Sequence, residues 1–272
     1  MNRQQNHLDE TMSLHVIKDR MQLKFAEQQA DFIADNLETL IRNTDSVAPV
    51  RRDLYKLARK HRPSLTPSVP PAEKHWEEAI FRKWEKNEDG LDPQIPFRKI
   101  VSYQVMLRDT NNDRGWGELD LLGATAENVP VATELKIKPR EYLLRAIVEV
   151  LAYGVAIRKA WRRVDGFSLG SQWAGVVGNI DSLVHVDLPL VVMAPASYWR
   201  DVLRNSTEPT RFQTSQPSRQ SIKKLLEEMH RFNYPLTFVE IQAEPQPDAS
   251  GLPVIINAVV KDMSYPGCNG RV

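Results

Sequence analysis

The chain has 272 residues, 42% of them hydrophobic and 26% charged, a balance that supports a packed core and excludes a disordered or low-complexity chain. Its net charge of +1 excludes a bulk polycation, so affinity for a polyanion has to come from local patches. No apolar run approaches the ~18 residues of a bilayer span, and residues 1–10 lack the apolar stretch of a signal peptide. The single cysteine, Cys268, can form neither an internal disulfide nor a cysteine-based zinc cluster, and the expected compartment is the cytoplasm.

Over 12–42, Leu14, Ile17, Met21, Phe25, Phe32, Ile33, Leu37 and Ile41 recur at helical spacing without a proline, which predicts one long helix. A second helix is expected over 49–61. There Arg51, Arg52, Lys56, Arg59 and Lys60 face a single acid, Asp53: either a solvated basic face or a phosphate-contacting patch. Pro63, Pro67, Pro70 and Pro71 mark a stiff connection. The chain thus divides into an N-terminal helical extension (1–62), a Pro-rich linker (63–71) and a main domain (72–272).

The main domain opens with a helix over 72–87, with Trp76, Ile80, Phe81 and Trp84 on one side. Strands follow at 97–108, 116–123 and 129–137, with a turn at 111–115. Pro139 sits where a helix N-terminus is expected, and the helix over 140–162 buries Leu144, Ile147, Val148, Leu151 and Val155. A glycine-rich loop covers 165–182, and the apolar run 186–194 reads as a buried strand. Helices at 197–204 and 217–232 and strands at 236–243 and 253–260 complete the chain. The fold class is α/β, with an αβββαβ core on a mixed sheet and a C-terminal α/β addition. The strand-helix-strand step from 129 to 194 should join parallel neighbours.

Alternation along strands sends Glu118 and Asp120 one way, and Glu134 and Lys136 one way on the next strand. In a hairpin both sets meet at one edge of the sheet, where three carboxylates repel unless a cation or protons compensate. Such oxygen donors suit Mg2+, with Mn2+ as a substitute. A metal held there lowers the pKa of a bound water and stabilises charge on a phosphoryl oxygen. Lys136 beside it would orient or deprotonate that water, or offset transition-state charge. The plain alternative is a solvent-facing hairpin, because acid-x-lysine triplets are common. Glu118 stays open between second ligand and solvated neighbour. His75, His185 and His230 have no ligand spacing, and no phosphate-binding Gly-x-x-x-x-Gly-Lys-Ser/Thr loop is present.

Asp120, the triplet Glu134-Leu135-Lys136 and the αβββαβ order over residues 72–194 together resemble the PD-(D/E)XK nuclease superfamily. The resemblance implies a restriction-endonuclease-like fold. It also implies a Mg2+ held by Asp120, Glu134 and the backbone carbonyl of Leu135, with Lys136 as the catalytic lysine. Many members carry a glutamate on the preceding helix. Of Glu73, Glu77 and Glu78, helical geometry favours Glu77, on the side of Trp76 and Ile80, as a further metal ligand or water-ordering group. Some members have a glutamine and a tyrosine at i, i+4 on the next helix, where this chain has Glu149 and Tyr153. Lys138, Arg145 and Tyr153 form the expected substrate contacts, with Arg140 and the cluster Arg158, Lys159, Arg162 and Arg163 adding positive charge. Trp173 either stacks on a base or packs beneath its loop.

The expectation is a Mg2+-dependent phosphodiesterase that cuts nucleic acid, DNA rather than RNA, through metal-activated water. No membrane is involved, and a homodimer contact through the N-terminal helix is expected. Two rivals stand beside it: a catalytically inactive nuclease-fold module that binds nucleic acid or protein, and a metal-dependent hydrolase of a small molecule.

Overall fold

The computed structural model describes residues 8–22, 25–51, 55, 57, 71–86, 88–108, 113, 116–138, 142–162, 168–180, 183, 185–203 and 217–261. Three helices come first: α1 (Leu14–Arg20), α2 (Ala26–Asp35) and α3 (Leu37–Val47). Then come α4 (Glu73–Trp84), β1 (Lys99–Met106), β2 (Glu118–Ala124), β3 (Pro130–Leu135), α5 (Leu143–Trp161) and α6 (Leu169–Val176). β4 (Leu190–Pro195), α7 (Ala196–Leu203), α8 (Arg219–Arg231), β5 (Leu236–Ala243) and β6 (Ile255–Val260) follow. No described helix is long and apolar enough to cross a membrane.

The strands form one mixed six-stranded sheet in the order β1-β2-β3-β4-β5-β6. β1, β2 and β3 pair antiparallel, β3 to β4 and β4 to β5 parallel, and β5 to β6 antiparallel. The parallel β3–β4 pair needs a crossover, and α5 supplies most of it. The C-terminal segment extends this same sheet.

Two apolar clusters lie on the two faces of the sheet. The first joins α5 to the sheet residues Leu122, Ala132, Leu190 and Val192; the second joins α4 to Leu121, Val131, Val191 and Met193. Nearly all of α5 is buried, because α1 and α3 cover the side that the sheet does not. Leu14, Ile17, Ile33, Leu37 and Leu40 of α1–α3 belong to the first cluster. The apolar stripe expected to carry a dimer contact is therefore buried within this chain.

Three expectations change. The helix over 12–42 is three helices: the backbone at Met21 is extended, and Asn36, whose Nδ2 donates to the Phe32 carbonyl at 2.8 Å, separates α2 from α3. Neither break needs a proline, so apolar periodicity runs through both. The loop over 165–182 contains α6. Ser168 caps its Ser171 N–H, and Leu169 and Trp173 bury themselves one turn apart. Trp173 packs against Trp161 and donates its indole N–H to the Asn128 carbonyl at 2.7 Å, so it stacks on no base. Finally, the described backbone at 51, 55 and 57 is not helical. Arg51 is buried and donates to the Arg108 carbonyl at 2.8 Å, which removes it from any phosphate-contacting patch. The rest of that patch, most of the linker, Pro139, Arg140, Arg163 and Cys268 lie outside the described residues.

Candidate active site

Two changes of strand face place the first carboxylate. Tyr103 and Leu121 pack into the second cluster, whereas Val105 and Leu119 pack into the first. Residues two apart on a regular strand share a face. Both strands therefore turn over at the intervening, opposed residues, Gln104 and Asp120, while the register Tyr103↔Leu121 and Val105↔Leu119 is kept. Gln104 takes φ +48° to do so. The turn-over also breaks the simple alternation that coupled Glu118 to Asp120; Glu118 is half-buried and lies outside the carboxylate group described next.

The β2–β3 register runs from Ala124↔Pro130 to Leu121↔Thr133. Beyond it the Asp120 side chain takes over from the ladder, its Oδ2 accepting the Leu135 N–H at 2.7 Å. Leu135 thus meets the site through its N–H. Gly117 precedes the turn-over at φ +48°, and a Cβ there would lie 3.2 Å from the Tyr153 hydroxyl. Gly117→Ala should destabilise the protein by about 1–2 kcal/mol, measured by thermal denaturation.

α4 brings two more carboxylates to Asp120. Glu73 and Glu77 lie one turn apart on one helix face, and carboxylate oxygens of Glu73, Glu77 and Asp120 all fall within 4.8 Å of one another. Glu77 is 3% exposed. The start of α4 is fixed by His75, whose Nδ1 accepts the Ala72 N–H at 3.1 Å, so this histidine positions the helix. Glu78 points away and pairs with Arg82. Burial, with the Glu77 charge next, holds the Asp120 carboxyl well above the usual carboxylate range, against the pull of Lys136 and the Leu135 N–H. Three crowded carboxylates, one of them deeply buried, could hold a metal ion.

Glu134 and Lys136 face the other way. Val131 and Leu135 belong to the α4-side cluster and Ala132 to the α5-side cluster, so Glu134 points toward α5. Lys136 Nζ lies 2.5 Å from Glu134 Oε1 and 3.4 Å from Glu149 Oε2 on α5. Glu149 Oε1 in turn takes Lys18 Nζ of α1 at 2.9 Å and the Tyr153 hydroxyl at 3.4 Å, and Lys18 stands 5.3 Å from the centre of the Tyr153 ring. Burial raises Glu134 well above its ordinary value, and the Asp120 charge adds to it. Burial alone would lower Lys136, but Glu134 and Glu149 outweigh it and raise it, so the ammonium stays charged. Burial alone would raise Glu149, but Lys136 and Lys18 bring it down to about 2.

Of the expected ligands, the structure groups Glu77 and Asp120 and adds Glu73. It leaves Glu134 outside that group, but within reach of the Asp120 charge. Of the expected substrate contacts, Lys138 is exposed just past β3, Arg145 is exposed 3.8 Å from Asp19, and Tyr153 is buried behind Glu149. Glu73 had a signal in the sequence, its i−4 spacing from Glu77. Lys18 had none, since nothing local ties α1 to α5.

No protein-family model matches the chain, no curated protein does, and no solved structure does. Function therefore has to be argued from the geometry of the site.

Proposed function

We propose that this chain is a metal-dependent phosphodiesterase that hydrolyses nucleic acid, DNA first, on a restriction-endonuclease-like αβββαβ core. The observation that carries this is the convergence of Glu73, Glu77 and Asp120 within 4.8 Å where β2 and β3 part, with Lys136 close enough for its charge to act on Asp120. Asp120, Glu77 and Glu73 would hold the cation. Glu134 remains a further candidate, since its Oε2 is buried and accepts no hydrogen bond among the described residues. A bound Mg2+ would supply a water acidic enough to lose a proton near neutrality and a positive charge for the phosphoryl oxygens.

Lys136 is a fixed cation with a carboxylate on either side. It would serve as a hydrogen-bond donor and charge for the developing phosphorane oxygens rather than as a base. Glu134 and Glu149 hold its ammonium in place, and Tyr153 and Lys18 hold Glu149. The Leu135 N–H keeps one Asp120 oxygen oriented.

Plasmid and linear DNA should be cut by the wild-type chain with Mg2+ or Mn2+ and spared with EDTA. Asp120→Ala and Lys136→Ala should each lose activity by about a hundredfold or more. Cleavage at wild-type rate by both variants would remove the assignment. A second reading, a non-catalytic nucleic-acid-binding or interaction module, is favoured by one observation: Lys136 is only 8% exposed. Absence of both cleavage and Mg2+ binding in calorimetry would select it.

A further inference from the structure

A groove of about 1030 Å³ runs beside the first turn of α4, past the carboxyl ends of the parallel strands β3, β4 and β5. Crevices in this position are where open α/β sheets place their ligands. Its lining includes Trp76 of α4, Lys138 just after β3, Arg200 of α7 and the opening residues of α7, Ala196 and Ser197. Trp76 follows Glu73 by one helical turn and directly precedes Glu77, so the groove and the three carboxylates share the same end of α4.

Trp76 differs from every other tryptophan in the chain. Trp84, Trp173 and Trp199 donate their indole N–H groups to backbone carbonyls. Trp116 stacks on His15 and Trp161 packs edge-on to Trp173. Trp76 has neither an indole hydrogen bond nor an aromatic partner among the described residues. It is half-buried, packed on one side against the second cluster, with the groove beside it.

Lys138 and Arg200 are exposed, and neither makes an ion pair among the described residues. Of the two lining carboxylates, Glu240 is paired with Lys261 at 2.7 Å, and Glu244 remains. The N-terminus of α7, whose first N–H groups have no partner within the helix, opens onto the groove and adds the positive end of its dipole. An indole without a partner among the described residues, sharing one groove with two cations and a helix N-terminus, matches a base flanked by phosphates.

We propose that this groove binds a single strand of nucleic acid, with a base stacked on Trp76 and phosphates on Lys138 and Arg200, and leads it to Glu73, Glu77 and Asp120. The proposal deepens the phosphodiesterase reading and rests on it for the direction of the strand. Stacking on one indole needs an open base face, which a paired and stacked duplex does not offer.

The test is fluorescence anisotropy of the full chain with labelled oligothymidylate and with a labelled duplex, in Ca2+ buffer so that the carboxylates are neutralised. A gel checks that the probes stay intact, and cleavage of the same probes is scored separately with Mg2+. The single strand should bind more tightly than the duplex. Trp76→Ala should weaken it about tenfold or more, and Trp76→Phe should retain most of the affinity. The Lys138→Ala/Arg200→Ala double variant should make the log-log salt dependence shallower by about 1.4. Equal binding of strand and duplex with no effect of Trp76→Ala overturns the proposal, even if Mg2+ cleavage proceeds. Binding of neither probe also overturns it and leaves the groove to a peptide. Trp76-dependent binding of the single strand without Mg2+ cleavage supports the groove and instead removes the phosphodiesterase assignment.

Discussion

Asp120→Asn is expected to raise the melting temperature of the metal-free protein while abolishing the Mg2+ response and the hydrolytic activity proposed for it. Asparagine can still accept the Leu135 N–H that Asp120 takes at 2.7 Å, so the splayed end of β2 and β3 should keep its shape. What disappears is a negative charge crowded against Glu77 and Glu73 within 4.8 Å. Like charges at that distance disfavour one another strongly, and burial adds to the cost. Relief of about 1 kcal/mol corresponds to roughly 2–4 °C in a chain of this size. The activity should fall by more than about a hundredfold, because the cation that would stabilise the phosphoryl charge loses a ligand worth several kcal/mol.

Burial, with the same crowding added to it, sets the pH dependence of the wild-type metal-free protein. Asp120 and Glu134 both have folded values raised above their ordinary 3.8 and 4.5. The folded state therefore binds more protons than the unfolded chain above that range. Stability from these two groups should fall as pH rises from about 4 through their raised values. Mg2+ should restore it near neutrality, where it competes with the protons, and thermal melts with and without the ion at several pH values read this directly. A metal-free melting temperature that rises steadily from pH 5 to 8 would contradict the placement of these carboxylates.

Much of this site was legible in the sequence because its parts are local. Asp120 and the Glu134-Leu135-Lys136 triplet sit on short strands with clear alternation, and the parallel β3–β4 pair follows from the apolar crossover helix between them. Strand parity was the wrong guide at one point. The reversal at Gln104 and Asp120 separates the carboxylate group on the α4 side from Glu134 and Lys136 on the α5 side, and a left-handed glutamine carries no warning in composition. The Lys18–Glu149 pair spans 131 positions, and only tertiary packing creates it. The unbroken helix expected over 12–42 would have hidden it further, since α1 reaches α5 only because the chain turns at Met21.

Lys18→Met should be the most destabilising single change near the site. Lys18 is 5% exposed, and its ammonium is 2.9 Å from Glu149 Oε1. Methionine fills similar volume, so the loss is of charge rather than packing, and Glu149 is left half-buried with Lys136 shared between two carboxylates. Breaking one side of a buried pair typically costs about 3–5 kcal/mol, which is on the order of 10 °C in melting temperature here. Glu149→Gln should cost less on the Lys18→Met background than alone, and the double-mutant cycle measures that coupling. The acid limb supplies an independent check. The folded value of Glu149 is lowered from 4.5 to about 2, so its stabilisation is fully present above about pH 4.5 and is lost as pH falls toward 2. Lys18→Met should move that loss to higher pH, followed by circular dichroism. Mg2+ affinity should stay close to wild type, because the three grouped carboxylates lie on the α4 side of the sheet. The proposed hydrolytic rate should fall, because Glu149, which holds the Lys136 ammonium, loses Lys18 as its own partner. A variant that melts like wild type yet loses Mg2+ binding would show that α1 serves the carboxylates and not the lysine.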